Sequence, residues 1–404
     1  MFVLKKITIR KGVEGMSQET SFIQAFQPFI QEAWKQSEFP APTSVQAQSV
    51  QPIMENKDVL AKSPTGSGKT LAYLLPVLEK LNAEGKQPQA IILASSHELV
   101  MQIHSVIQEW IKGSELRTAS FIGGANPKRQ LEKLKKNPHI ISGTPGKVLE
   151  LIKMKKLKMH EVKTVVLDEG DQLLVPEHMK TIGEVIKSTQ RDRQLLLYSA
   201  TLSPKTEEMA AEMMNEPVKI SVDREQAIKS EVRHLYIVSE QRDKLKALEK
   251  IMRAAPVKTL AFMKDIGSVN VAAEKLAYDR MPVSILHSES GKTDREAALR
   301  KFRKGDTPLL IATDVAARGL DIQDLEQVVH LDFPEDIDQF VHRSGRTGRL
   351  GSKTNGNVIS LVTEREEREL KQYAKKLGIE LERNVLFGGN ILTEEERLRN
   401  GRKR

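Results

Sequence analysis

The chain has 404 residues, 39% hydrophobic and 29% charged, enough for two or three domains with cores of their own. It contains no cysteine, which excludes disulfides, thiolate zinc sites and a cysteine nucleophile and suits a reducing, cytoplasmic setting. No run of about 18 apolar residues is present, so no helical membrane span is expected, and the net charge of +9 favours a polyanionic partner, nucleic acid above all.

Residues 1–20, opening "MFVLKKITIRKGVEGM", are too interrupted by charge for a secretory signal and are expected to form an N-terminal extension. From 21 to 222, short apolar runs end in small or polar residues: "DVLA" before Lys62, "AIILA" at Ala90–Ala94, "HIIS" at His139–Ser142, "TVVLD" at Thr164–Asp168 and "QLLLYS" at Gln194–Ser199. Such runs mark strands buried on both faces of a parallel sheet. Leu71, Leu74, Leu75, Leu78 and Leu81 recur at helical spacing, with Pro76 expected to kink that helix. The polar stretch at 223–232 reads as a linker. From 233 to 382 the pattern returns in "KTLAFM", "VSILH", "LLIAT", "QVVHLD" and "NVISLV", separated by helical segments such as "DREAALRKF". Two α/β domains in tandem, each with a mostly parallel sheet flanked by helices, are therefore expected. Residues 383–404 read as a short basic tail.

Two stretches of the first domain carry chemistry. "SPTGSGKT" spans Ser63, Pro64, Thr65, Gly66, Ser67, Gly68, Lys69 and Thr70, between a strand and a helix. Turn-forming residues there place backbone N–H groups and a helix N-terminus around a phosphate. Lys69 would reach the β- and γ-phosphates of ATP, and the Thr70 hydroxyl would ligate Mg²⁺. The general phosphate-loop pattern has glycine where this chain has Ser63. At the carboxyl end of the "TVVLD" strand, Asp168 would hold Mg²⁺ and Glu169 would polarise the attacking water. A protein-held zinc is not expected, because the nine histidines form no H-E-x-x-H pair. Aromatics are 4% of the chain and no aromatic RNA-recognition signature occurs, so base stacking is not expected to dominate binding.

From about Phe22 to about Leu381 the chain resembles the DEAD-box RNA helicases, and the motifs occur in that family's order. "FPAPTSVQ" at Phe39–Gln46 is similar to its adenine motif, with Phe39 stacking on the ring and Gln46 pairing with the base edge. "SSHELVMQ" with Ser96 and His97, Gly123-Gly124, and "TPGK" at Thr144, Pro145, Gly146 and Lys147 resemble the first domain's RNA-backbone contacts. Asp171 and "SAT" with Ser199 and Thr201 resemble the elements that couple nucleotide state to strand separation. In the second half, "ATDVAARGLD" at Ala312–Asp321 and "HRSGRTGR" at His342–Arg349 are the longest matches. By resemblance, Gly319 and Asp321 face the nucleotide, Thr313 and Arg295 touch RNA, His342 links the domains, and Arg346 and Arg349 act as arginine fingers.

The resemblance implies two RecA-like domains, ATP and Mg²⁺ as cofactors, and RNA held by its backbone with little sequence preference. Proteins of ribosome assembly or RNA decay are the partner class it suggests, and no membrane role is expected. Several positions depart from the family pattern. The acidic motif is Asp168-Glu169-Gly170-Asp171, with Gly170 expected to loosen the backbone while leaving both acids in place. His97 stands for arginine, Ser288 and Glu289 alter "HGD", and Lys292 opens "KTDR". Most departures fall at RNA-contact or supporting positions, so RNA affinity is the property in question. With Lys69, Thr70, Asp168 and Glu169 in one half and the arginines in the other, ATP hydrolysis is expected to open and close a two-domain clamp on short duplexes. The alternative is an ATP-gated RNA clamp or assembly scaffold with little unwinding.

Overall fold

Parallel strands covered by helices on both faces must be largely apolar, and most of the interior strands here are. The computed structural model describes residues 22–37, 39–124, 126–222, 232–317, 322, 325–348, 356–387 and 390–401. The chain divides into two units, Met1–Ala227 and Ile228–Arg404. In the first, β1 (Val59–Lys62), β2 (Ala90–Leu93), β3 (Thr118–Phe121), β4 (Ile140–Gly143), β5 (Thr164–Asp168), β6 (Gln194–Ser199) and β7 (Val218–Ser221) form one parallel sheet. Its order is β3-β4-β2-β5-β6-β1-β7. Leu60, Ile91, Ile141, Val165, Leu167 and Leu197 meet the helices Pro145–Lys153 and Pro176–Lys187 in one core.

The second unit holds β8 (Val232–Val238), β9 (Thr259–Met263), β10 (Val283–Leu286), β11 (Leu309–Thr313), β12 (Gln327–His330), β13 (Gly356–Val362), β14 (Leu381–Phe387) and β15 (Asn390–Thr393). The order is β10-β11-β9-β12-β13-β8-β14-β15, parallel except for β15 against β14. Side chains alternate between faces along a strand. Accordingly Leu260, Phe262, Leu310, Val328 and Val358 pack on one side with Phe302, and Ala261, Ile311, Val329 and Ile359 on the other with Leu248 and Ile251. The α/β class and mostly parallel sheets are as expected.

The structure differs from the sequence reading in four places. β3 and β7 were not anticipated, because "TASF" and "VKIS" contain few apolar residues. Val232 to His234, read as linker or its margin, lie in β8, where the charged Arg233 masks the strand pattern; 223–231 lie outside the described residues. The expected tail from 383 carries most of β14, all of β15 and the helix Glu394–Gly401, whose entry is bonded reciprocally between Thr393 and Glu396. These are polar strands at a sheet edge, where one face needs no apolar cover. Pro76 lies inside a continuous helix, Lys69–Lys80, in which Leu71, Leu74, Leu75 and Leu78 are buried. The extension 1–20 lies outside the described residues. No described helix is long and apolar enough to cross a membrane.

Candidate active site

Strand order decides which loops become neighbours. Because β5, β6 and β1 are adjacent, the loops leaving their carboxyl ends share one stretch of sheet edge. Lys62 pairs with Ser199, and Tyr198 with Asp168, so the phosphate loop, the acidic pair and the "SAT" segment start from one level.

The phosphate loop is tied to that edge by Ser63 N–H donating to the Ser199 carbonyl at 3.0 Å. Ser63 is buried and its hydroxyl donates to Ser67 Oγ at 2.7 Å. Its backbone is not in the left-handed region, so this position makes no demand for glycine. Gly66 and Gly68 do require glycine, with φ of 76° and 87°. A Cβ on Gly68 would also lie 2.5 Å from Gln46 Nε2. Lys69 opens the following helix, and its ammonium donates to the carbonyls of Ser63 and Pro64, both at 2.8 Å. The lysine thus spans the mouth of its own loop.

Asp168 is 3% exposed at the end of β5. Its Oδ2 accepts from the Tyr73 hydroxyl at 2.8 Å and its Oδ1 from the Glu169 N–H at 2.9 Å. Burial, then the Glu169 charge, pushes its carboxyl up to about 6, against the opposing pull of Tyr73 and Lys69. Glu169 sits at φ 52°, a left-handed conformation uncommon for a side-chain-bearing residue and found where structure around it enforces it. Gly170 is buried, and a Cβ there would lie 2.5 Å from Leu197 Cδ2. Glycine here allows close approach to β6. The expected loosening is replaced by a packing role.

Asp171 is the hub of a bonded knot. The Ser199 hydroxyl donates to its Oδ1 and lies close to the Thr201 carbonyl, and Thr201 Oγ1 donates to Asp171 Oδ2 at 2.9 Å. Gln46 is 3% exposed. Its Oε1 accepts from Thr43 N–H at 2.9 Å in a capping box, and its Nε2 donates to the Gly68 carbonyl at 3.3 Å. Each atom retains capacity for one further bond, so the amide joins the helix Ser44–Met54 to the phosphate loop while keeping an edge for a base. Phe39 is half-buried against Trp34, with ring centroids 5.7 Å apart.

The remaining first-unit residues cluster after β2, β4 and β3, the adjoining half of the same edge. Ser96 caps the helix His97–Trp110 by accepting from Leu99 N–H at 3.1 Å. His97 is exposed, with its ring over Gly123: a Cβ there would lie 3.3 Å from His97 Nε2. Gly124 is exposed beside it, and Thr144, Pro145, Gly146 and Lys147 begin the helix Pro145–Lys153, with Lys147 paired to Glu150 at 2.7 Å.

In the second unit, Thr313 ends β11 and is buried. Arg295 donates to the Ala316 carbonyl at 2.6 Å, tethering its helix to the turn after Thr313. His342 and Arg346 belong to one segment after β12, and Arg346 is 7% exposed. Gly319, Asp321 and Arg349 lie outside the described residues. The sequence reading overlooked Arg343, 2% exposed. It makes a two-pronged pair with Asp314 at 2.7 and 2.6 Å, donates to the Asp332 carbonyl at 2.7 Å and lies over Phe262. Its flanking motif concealed it, since every arginine in "HRSGRTGR" reads alike. A buried arginine beside an aspartate at a strand end was the available signal.

The oxygen donors Thr70 and Asp168 suit Mg²⁺, a hard cation that takes one or two protein oxygens beside phosphates and water. Among the described residues no cluster of three or more acidic or histidine groups offers a closed metal cage.

Comparison with known proteins agrees with this geometry. The DEAD/DEAH box helicase model matches residues 43–210, and the helicase conserved C-terminal domain model matches 243–351. The chain is 56% identical to a probable ATP-dependent RNA helicase, YfmL, of Bacillus subtilis, covering 94% of this chain and 100% of that protein. It is 50% identical to the DEAD-box ATP-dependent RNA helicase CshC of Bacillus cereus, over 92% of this chain and 94% of that one. Among solved structures, S. cerevisiae Dbp5 bound to RNA and ADP BeF3 superposes with a TM-score of 0.83 at 28% identity, covering 91% of this chain and 95% of that one. The chain belongs to the DEAD-box family of ATP-dependent RNA helicases.

Proposed function

We propose that the chain uses RNA-stimulated ATP hydrolysis to separate short RNA duplexes or remodel RNA–protein complexes. The carrying observation is the convergence of Lys69, Asp168, Glu169 and the Asp171–Ser199–Thr201 knot on one sheet edge. The loop from Gly66 to Thr70 cradles the phosphates through its N–H groups. Lys69 leaves the carbonyls of Ser63 and Pro64 to meet them. Thr70 and Asp168 would hold Mg²⁺, which when bound neutralises charge across the β- and γ-phosphates. Glu169 takes the proton of the attacking water.

Arg346, on the other unit, meets the charge that develops on the γ-phosphate, as does Arg349 by resemblance, while Asp321 by resemblance bonds the ribose. Because neither unit carries the whole set, ATP favours the state that brings them together, and RNA laid on Ser96, His97, Gly124, Thr144 and Thr313 favours the same state. RNA is held by its backbone, with little preference for sequence. The protein works in the cytoplasm, alongside proteins of ribosome assembly or RNA decay. A short duplex with a single-stranded overhang tests this reading. ATP should release the strand and a non-hydrolysable analogue should give at most one round. Stable retention of RNA without release would replace the helicase with an ATP-gated scaffold.

A further inference from the structure

Tyr73 lies inside the apolar face of the helix Lys69–Lys80, where a leucine or phenylalanine would pack as well. It is fully buried, and its ring stacks at a tilt on Tyr198 with centroids 5.3 Å apart. A buried phenol needs a partner for its hydroxyl. Here the partner is Oδ2 of Asp168 at 2.8 Å. That carboxylate is one of the two side chains assigned to the metal.

We propose that Tyr73 is a positioning residue for the Mg²⁺ site, orienting the Asp168 carboxylate from inside the protein. This rests on the assignment of Thr70 and Asp168 to the metal. The carboxylate is gripped on both oxygens, Oδ2 by Tyr73 and Oδ1 by the Glu169 N–H. Each oxygen has a second lone pair, so the grip sets the rotamer and leaves coordinating capacity. Outer partners of this kind orient ligands and tune metal affinity. Without the hydroxyl, Oδ2 would face an apolar ring and the carboxylate would be held only at Oδ1, by the Glu169 N–H.

The test is the thermal shift produced by ADP, measured across a Mg²⁺ titration and again in EDTA, for wild type, Tyr73→Phe and Tyr198→Phe. Tyr198→Phe is the control, because it removes the neighbouring hydroxyl, which makes no hydrogen bond to Asp168. In Tyr73→Phe the Mg²⁺ concentration giving half of the metal-dependent shift should rise roughly 10-fold, with the shift in EDTA unchanged. Tyr198→Phe should follow wild type. An unchanged Mg²⁺ midpoint in Tyr73→Phe overturns the proposal, and so does an equal rise in both variants, which would mean general loosening of the core. Should wild type itself show no metal-dependent shift, the metal assignment of Thr70 and Asp168 fails first and the proposal with it.

Discussion

The two halves of the first unit's sheet edge are built differently. On the side of β5, β6 and β1, the functional groups are buried or half-buried and bonded to each other: Ser63 to Ser67, Gln46 to Gly68, Asp168 to Tyr73, Asp171 to Ser199 and Thr201. On the side of β2, β4 and β3, His97, Gly124 and Gly146 stand exposed on loops and helix starts. The second unit repeats the contrast, with Arg343 sunk against Asp314 while Ser288 and Glu289 are exposed. Under the proposed function, the difference follows from what each side would do. Phosphoryl transfer needs groups held to fractions of an ångström before the substrate arrives. Gripping a backbone of variable sequence needs accessible donors, which carry no such packing constraint. Departures from the family pattern therefore collect on the exposed side, at His97 and Ser288, while the buried one, Gly170, comes with close packing against Leu197.

The sharpest way to break this contrast is to attack a buried bond. Arg343→Ala should destabilise the second unit by about 3–5 kcal/mol, because it strands Asp314 and the Asp332 carbonyl. Chemical denaturation checks this, and Arg343→Lys should recover only part of the loss, since an ammonium cannot match both carboxylate oxygens.

Next comes Gly170→Ala, which restores the family residue but drives a Cβ to 2.5 Å from Leu197 Cδ2. Destabilisation of about 1–3 kcal/mol is expected. Adding Leu197→Val should relieve it. A stable single variant would show that the close approach imposes no cost and that the buried side tolerates change as the exposed side does.

Acid should act on the buried side through Asp168. The Asp168 carboxyl stands at about 6, above its ordinary 3.8. Burying its charged form costs stability, a cost absent below the ordinary value and complete once pH has risen through about 6. Metal binding needs the charged form. Mg²⁺ affinity should therefore weaken as pH falls through about 6, while this group's contribution to stability improves. Nucleotide thermal shifts in Mg²⁺ and in EDTA, taken between pH 5 and 7.5 (a window spanning roughly one unit either side of the midpoint), separate the two.

The smallest effect is expected where the chain is most exposed. His97→Arg adds a permanent charge beside Gly123 and Gly124. RNA binding should tighten and its salt dependence steepen by about 0.7 in the log–log slope, one phosphate contact on a single strand. Fluorescence anisotropy across salt concentrations reads both. An unchanged slope would remove His97 from the RNA surface.

How much of this was legible beforehand varied with burial. Strands that are apolar throughout, such as "AIIL" and "LLIAT", announce themselves because both faces are covered. β8 and β14 did not, since Arg233 and Glu382 pair across them on an open face and dilute the pattern. The phosphate loop was visible through Gly66, Gly68, Lys69 and Thr70, which answer to a local backbone demand. What stayed hidden were contacts made at long sequence separation. Tyr73 looked like one more core aromatic in a leucine-rich helix, and its bond to Asp168 spans 95 positions. Arg343 was one arginine among three. The self-bonding of Lys69 and Gln46 also left no mark, because the atoms that accept from them are backbone carbonyls, present at every residue.

The central claim is that the buried chemistry is driven by RNA bound on the exposed side. Steady-state ATP hydrolysis should be measured against increasing single-stranded RNA for wild type and Glu169→Gln. Wild-type hydrolysis should rise with RNA to a plateau, and the variant should fall by roughly 10²–10⁴ at every RNA concentration, with the loss of its general base. Brisk wild-type hydrolysis that ignores RNA would contradict the coupling and leave a nucleotide hydrolase without a clamp.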